Sequence, residues 1–202
     1  IYRVRQNKYQ KEIIALSRGE LQEIINIKTD NEAWQRVIDV FVCNCFLGLR
    51  VSDLMTLDRG EFKKDSDGDF FYIKENIKTG ITVNIPITEI PLRILQKYNF
   101  SLPTYASQYF NRELQKILKH YKLFEYPVTH IRKVQKESHN STVLMRELIT
   151  SHTCRKTFIT LAVSNNIPLN VIMKASGHRQ INTLTSYVQL VADKNEFKKL
   201  CS

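Results

Sequence analysis

The sequence lacks several features that mark membrane and secreted proteins. None of its apolar runs approaches the roughly 20 residues that a membrane-spanning helix needs, and its first residues, IYRVR, lack the apolar core of a signal peptide. Its four cysteines include no CxxC pair, so they favour buried, reduced thiols over a disulfide framework or a zinc site. The sequence also contains no internal repeat and no low-complexity segment. These absences favour a cytoplasmic globular protein.

Acidic residues are few compared with basic ones. The 202 residues include 30 Lys and Arg against 20 Asp and Glu, a formal net charge of +10. Such an excess favours polyanionic partners, nucleic acid first and an anionic membrane surface second. The sequence has no cluster of carboxylates of the kind that holds a catalytic divalent metal. An apolar content of 43% is enough for a sizeable core in one large domain or two small ones.

Helical patterns dominate the chain. Ser17 and Glu20 form a capping box that begins the first helix, Asp30 or Asn31 can cap the second, and Ser52 and Ser151 can cap two later ones. The second helix carries an apolar stripe at helical spacing and should end at Gly48. Further helices are expected at residues 88–98, 107–121, 152–164, 168–176, 181–190 and 192–200.

Strand patterns are confined to a short region. Residues 69–74 and 81–86 are rich in β-branched and aromatic side chains and flank a glycine turn, which predicts a β-hairpin with Lys78 near its tip. Residues 126–150 show no clear period and are interpreted as loop with a possible short strand. The expected fold class is therefore mainly α with a small antiparallel β-hairpin or sheet (α+β), in one domain spanning residues 1–202.

Five residues stand out for their chemistry. Arg50 follows the end of the second helix, His152 and Arg155 share one face at a helix start, and His178 and Tyr187 follow later. Taken singly, each has an ordinary structural explanation, as a surface arginine, a core histidine or a core aromatic residue. Together they could bind and cleave one phosphodiester. The planar guanidinium groups of arginine bind phosphate oxygens through two parallel hydrogen bonds. Histidines transfer protons, and a tyrosine can attack phosphorus.

These residues and their surroundings resemble the tyrosine recombinase (phage integrase) family. That family carries G-L-R-x-S/D-E/D-L, similar to residues 48–54, and H-x-x-R before T-F, similar to residues 152–158. It also carries G-H with a nucleophilic tyrosine nine residues after the histidine, as in residues 177–187. A hairpin lysine in a K-T-G…V-x-I-P context corresponds to residues 78–86, and an L-T-x-x-E-L opening to residues 16–21. The resemblance covers roughly residues 12–195.

The resemblance implies the fold and the reaction of that family's catalytic domain. The tyrosine would form a 3′-phosphotyrosyl link to double-stranded DNA at an attachment or recombination site and release a 5′-hydroxyl, with no cofactor and no metal. Other protomers would join in a tetramer on DNA, from a free monomer, without a membrane. Residues 1–15 would be a lead-in from an N-terminal DNA-binding domain, and residues 192–202 a tail helix passed to a neighbour. The catalytic residues would be Arg50, Lys78, His152, Arg155, His178 and Tyr187.

Three alternatives remain open from the sequence. A type IB topoisomerase uses the same tyrosine chemistry but usually carries larger surrounding domains. A DNA-binding module of the same fold could be catalytically silent, although the complete set of catalytic candidates argues against this. A metal hydrolase would use His152, Cys154 and His178, but residues two apart on a helix point to different faces and make a poor ligand pair.

Overall fold

The computed structural model describes residues 13–76, 81–134, 137–178 and 180–200, and these ranges form a mainly helical domain with two small antiparallel sheets. Among them, no helix combines the length and the apolarity that crossing a bilayer requires. The helices are α1 (Arg18–Ile25), α2 (Glu32–Leu47), α3 (Val51–Leu54), α4 (Glu89–Lys97), α5 (Ser107–His120), α6 (Met145–Leu148), α7 (Ser151–Ser164), α8 (Leu169–Ser176) and α9 (Thr185–Leu200). The strands are β1 (Phe62–Lys64), β2 (Phe70–Asn76), β3 (Ile81–Pro86), β4 (Pro127–Val134) and β5 (Glu137–Leu144).

The central element is α2, which packs against α1, α4, α5 and α7. Its side chains are buried from Val37 to Cys45 because neighbouring helices cover it on several sides. The side chain of Asn31 caps its first turn by accepting from the backbone N–H groups of Ala33 and Trp34. At the other end Gly48 adopts the left-handed conformation at φ 63°. Both ends agree with the prediction, as does the capping box of α1.

The predicted hairpin is part of a three-stranded sheet in the order β1-β2-β3. Tyr72 on β2 pairs with Ile85 on β3, and both side chains lie in the main core. A two-stranded hairpin is marginal alone, and here β3 packs against α8. Lys78 and the rest of the predicted turn, residues 77–80, lie outside the described residues.

Residues 126–150, predicted as loop with a possible short strand, contain two strands and a short helix instead. The chain there forms a second hairpin of β4 and β5, followed by α6. Apolar residues in β4 fall at Val128, Ile131 and Val134, three apart, so the strand lacks the period of two that marks one buried face. Its ladder pairs backbone with backbone from Pro127 with Leu144 to Val134 with Glu137, which no side-chain pattern reveals.

The C-terminal region also departs from the prediction. Instead of two helices at residues 181–190 and 192–200, a 3₁₀ turn at Ile181–Thr183 leads into one continuous helix, α9. No glycine or proline lies between residues 185 and 200 to end it. The predicted tail helix is thus part of α9, the helix that begins at Thr185 and packs against α7. The predicted lead-in, residues 1–15, lies mostly outside the described residues.

Candidate active site

The first part of the site is the turn that follows α2. Asn44 is buried in the last turns of α2, and its side chain makes two hydrogen bonds with the backbone of Leu49. Its Oδ1 accepts from the Leu49 N–H at 3.0 Å, and its Nδ2 donates to the Leu49 carbonyl at 3.2 Å. The next residue, Arg50, occupies the N-cap position of α3. Ser52, the predicted cap, lies inside α3, so that prediction is wrong by two residues.

Arg50 carries a half-exposed cation at this turn. Its side chain is 43% exposed, and Nη1 lies 3.8 Å from Oδ2 of Asp53. Nη1 also lies 4.0 Å from the position that a β-carbon on Gly177 would occupy. A long ion pair at a partly exposed position neutralises little of the charge. The guanidinium therefore remains available to an anion beside the end of α8.

Arg155 is held much more firmly than Arg50. From the second turn of α7, its Nη1 donates to the carbonyl of Gly48 at 2.9 Å. Its Nη2 donates to the carbonyl of Ser176 at 2.5 Å. Those carbonyls lie at the C-terminal ends of α2 and α8, where backbone acceptors lack partners within the helix and favour a cation. Arg155 thus ties together the two turns that carry Arg50 and His178.

His178 is placed by the left-handed end of α8. Gly177 has φ 63°, and the backbone N–H of His178 turns back to donate to the carbonyl of Met173 at 3.0 Å. The imidazole Nδ1 lies 2.7 Å from Oγ of Ser176. Arg155 Nη2 lies 3.4 Å from Nδ1 and 3.3 Å from Nε2 of the same ring. The imidazole therefore contacts a guanidinium on one side and a hydroxyl on the other.

Tyr187 lies in the first turn of α9. Its ring packs beside a small apolar cluster that includes Ile159, Ile172 and Leu184. Because α9 packs against α7 of the same chain, the phenol lies within the electrostatic influence of Arg155. Arg50, Arg155, His178 and Tyr187 therefore share one region of the surface, as the sequence predicts.

The pKa values of these groups record an excess of positive charge. Burial, and after it the neighbouring Arg50 charge, lower the pKa of Arg155 to about 10, with Tyr187 and Asp53 acting in the opposite direction. Burial, Arg155 and Arg50 together lower the pKa of His178 to about 4. Two like charges side by side disfavour each other and any third cation. A bound anion would relieve this repulsion, so the site is suited to a phosphate.

The pKa of Tyr187 is shifted in the direction that keeps the phenol protonated. Burial raises it above the usual value of about 10, and the charge of Arg155 offsets part of the rise. A neutral phenol is a weak nucleophile. Attack by Tyr187 therefore requires a group that accepts its proton.

His152 lies one turn ahead of Arg155, at the start of α7, with an exposed side chain. Within the described part of the chain it makes no hydrogen bond and no ion pair. The N-cap of α7 is Thr150 rather than the predicted Ser151, which is the first residue inside the helix. The backbone N–H of Ser151 donates to Oδ1 of Asn111 at 2.8 Å. His152 is thus exposed about one helical turn before Arg155, while Lys78, the sixth predicted site residue, lies outside the described residues.

The structure does not bring together the ligands of the alternative metal site. Cys154 is buried and its Sγ donates to the carbonyl of Phe41 at 3.5 Å, whereas His152 is exposed. Cys43, Cys45 and Cys154 are free and buried, as predicted, and burial raises the pKa of the Cys43 and Cys45 thiols. These cysteines therefore belong to the core.

Two site residues were missed by the sequence analysis. Asn44 fixes the backbone next to Arg50, and the signal for it is a polar residue within the apolar run VFVCNCFL of α2. Ser176 contacts His178 from the last position of α8. The glycine after it accounts for the helix end, and the local sequence carries no signal that Ser176 contacts His178.

The chain matches the sequence model of the Phage integrase family over residues 15–194. The comparison with curated protein sequences gives no match. The match covers most of the chain and includes every candidate site residue.

Several solved structures share the fold at low sequence identity. The XerH site-specific recombinase bound to difH substrate is 16% identical with a TM-score of 0.62, covering 90% of this chain and 52% of that one. The Tn1549 transposon integrase in complex with transposon right end DNA is 14% identical with a TM-score of 0.59, covering 98% and 69%. A lambda integrase dimer bound to a COC′ core site is 16% identical with a TM-score of 0.56, covering 92% and 62%. This chain spans about half the length of the XerH chain.

Proposed function

Because the chain belongs to the phage integrase family, we propose that it is the catalytic domain of a site-specific DNA recombinase. The observation that carries the proposal is the meeting of Arg50, Arg155 and His178 beside Tyr187. The net charge of +10 supports a polyanionic substrate. We take the substrate to be double-stranded DNA at the recombination sites of a bacterial mobile element, and the compartment to be the cytoplasm.

In the proposed reaction the phenol oxygen of Tyr187 attacks the scissile phosphorus. A bond forms between this oxygen and phosphorus while the bond from phosphorus to the 5′-oxygen breaks, which leaves a 3′-phosphotyrosyl link. Arg50 and Arg155 bind the non-bridging oxygens, whose negative charge increases in the pentavalent transition state. Attack by a 5′-hydroxyl of another strand reverses the step, so the phosphodiester energy is retained without a cofactor.

Two proton transfers accompany this exchange. The Tyr187 phenol loses its proton to His152, whose exposed imidazole lies at the start of α7. The 5′-oxygen gains a proton from Lys78, a role that rests on the position of this lysine in the sequence. The phenol thus loses one proton and the 5′-oxygen gains one, while His152 gains a proton and Lys78 loses one.

The topoisomerase and silent-module alternatives predict different products. A type IB topoisomerase relaxes supercoiled DNA without a specific site or a second duplex, whereas a silent module binds DNA and forms no covalent link. All six catalytic candidate residues are present in the sequence, which favours an active enzyme. The order of their motifs and the Phage integrase match favour recombination.

We further propose that several protomers act together on DNA, as a tetramer assembled from free monomers. An apolar groove of about 460 Å³ between α1, β3, α7 and α8 supports a contact with another protomer. Ile167 and Val171, at its edge, are exposed large apolar residues. Analytical ultracentrifugation with and without DNA should show a monomer alone and a higher assembly on the duplex.

The decisive experiment uses suicide DNA that carries the attachment site, with a nick that lets the cleaved end diffuse away. The wild-type protein should form an adduct that survives on a denaturing gel. Tyr187→Phe keeps the ring and its packing but removes the attacking oxygen, so it should bind DNA and form no adduct. An adduct in this variant would mean that another residue is the nucleophile, and relaxation of plasmids lacking the site would favour the topoisomerase.

A further inference from the structure

Ser176 is a buried hydroxyl that contacts His178. The residue is 2% exposed. Its Oγ lies 2.5 Å from the carbonyl oxygen of Ile172 and 2.7 Å from Nδ1 of His178. Both distances are those of hydrogen bonds, so one hydroxyl joins the helix backbone to the imidazole.

The single proton of this hydroxyl decides the direction of both bonds. Two oxygens 2.5 Å apart require a hydrogen between them, and a carbonyl oxygen has none, so Oγ donates to the carbonyl of Ile172. Such bonds to the carbonyl four residues earlier are common for serine in helices. A serine hydroxyl has one hydrogen to donate. Towards His178 it can only accept, and Nδ1 must carry the proton.

The guanidinium of Arg155 does not select one tautomer. Its Nη2 lies 3.4 Å from Nδ1 and 3.3 Å from Nε2, so it faces both ring nitrogens alike. A neutral imidazole carries one proton on its two nitrogens. The bond from Nδ1 to Ser176 therefore places that proton on Nδ1 and leaves a lone pair on Nε2.

We propose that Ser176 is a positioning residue that holds His178 in the Nδ1–H tautomer and leaves Nε2 as the ring nitrogen available to the substrate. The catalytic meaning of this assignment rests on the proposed function, because it needs a phosphate at the site. The assignment of the tautomer itself does not.

The tautomer limits what His178 can do for a bound phosphate. A neutral Nε2 has only a lone pair, so His178 donates to a non-bridging oxygen only after Nε2 has gained a proton. The charged groups around the ring are Arg155 from α7 and Arg50 from the start of α3, with Asp53 and the phenol of Tyr187 nearby. Both arginines oppose protonation in the free protein. The negative charge of a DNA phosphate opposes them and favours uptake of one proton at Nε2.

The test is the tautomer of His178 in the free protein, read from long-range proton–nitrogen correlations in histidine labelled with ¹⁵N. The wild-type spectrum should show Nδ1–H. Ser176→Ala removes the acceptor, and the ratio of Nδ1–H to Nε2–H should fall by roughly fivefold or more, the equivalent of one hydrogen bond. Ser176→Thr keeps a hydroxyl and should keep the tautomer. Ser164→Ala, at an exposed serine ending α7, is the matched control and should change nothing.

Nε2–H in the wild type, or an unchanged ratio in Ser176→Ala, would overturn the assignment. The catalytic consequence is read separately, from single-turnover cleavage of suicide DNA between pH 5.5 and 8.5. Ser176→Ala should slow cleavage on the order of tenfold and change its pH profile without weakening DNA binding, and an unchanged profile would refute the positioning role. If no DNA is cleaved by the wild type, the proposed function fails while the tautomer measurement still stands.

Discussion

The ring of Phe158 lies where a β-carbon on Gly48 would have to be, with its Cδ1 2.4 Å from that position. Gly48 ends α2 and Phe158 belongs to α7, so the close approach of backbone to ring sets how near these helices come together. Arg50 follows Gly48 by two residues, and Arg155 precedes Phe158 by three. The absence of a side chain at Gly48 therefore helps to bring the two arginines to one site.

Gly48→Ala should destabilise the protein more than Gly177→Ala. Both glycines have φ 63°, and a left-handed conformation costs an alanine about 1–2 kcal/mol. At Gly177 the nearest atom to the new β-carbon is 3.5 Å away, an ordinary contact. At Gly48 the overlap with Phe158 adds about 1–3 kcal/mol. Urea unfolding of both variants measures the difference. Equal midpoints would show that α7 and Phe158 move away from the new β-carbon with no loss of stability.

Arg155→Ala should impair both cleavage and stability, whereas Arg50→Ala should impair cleavage alone. Each loses transition-state stabilisation on the order of several kcal/mol. The sequence alone predicts little change in stability for either variant. In the structure, however, Arg155 donates to the carbonyls of Gly48 and Ser176, and leaving them unpaired costs about 1–3 kcal/mol. Chemical denaturation and suicide-substrate cleavage of the two variants separate these effects; equal stabilities would contradict the structural role of Arg155.

His178 should make stability depend on pH between about 6.5 and 4. The pKa of an unfolded histidine is about 6.5, and that of His178 in the folded protein is lowered to about 4. In this interval the unfolded chain binds a proton that the folded protein excludes, so the free energy of unfolding decreases as the pH falls. His178→Gln should lose this part of the slope. His152→Gln, at an exposed position, is the matched control, and identical slopes for His178→Gln and wild type would argue against a neutral folded-state imidazole.

Lys78→Ala should slow cleavage of ordinary DNA but not of DNA with a bridging 5′-phosphorothiolate. A 5′-oxygen needs a proton as it leaves, whereas a thiolate leaves without one. The prediction rests on the proposed general-acid role of Lys78. Single-turnover rates on the two substrates provide the measurement. Equal slowing on both would indicate that the lysine positions the DNA and that the acid is another group.

The sequence by itself determined the helices with local start and stop signals. The capping box of Ser17 and Glu20 and the glycine stops at Gly48 and Gly177 depend on residues a few positions apart. These helix ends can therefore be predicted from the sequence without knowledge of the fold. The motif spacing likewise predicted four candidate site residues that the fold brings together. The hairpin of β4 and β5 was missed because the apolar residues of β4 lie three apart and lack the period of two that marks a strand with one buried face.

Only the tertiary structure decided how each site residue is held. The Asn44 side chain makes hydrogen bonds with the backbone of Leu49, five residues away. No rule of local sequence predicts that a buried side-chain amide will bond to the backbone of the turn that follows its helix. Arg155 reaches carbonyls 107 and 21 residues distant, which become neighbours when α2, α7 and α8 pack together. The depressed pKa of His178 depends on that same packing, because burial and facing charges arise only when the chain has folded. The sequence therefore specified the chemical groups, and long-range packing specified their protonation and orientation.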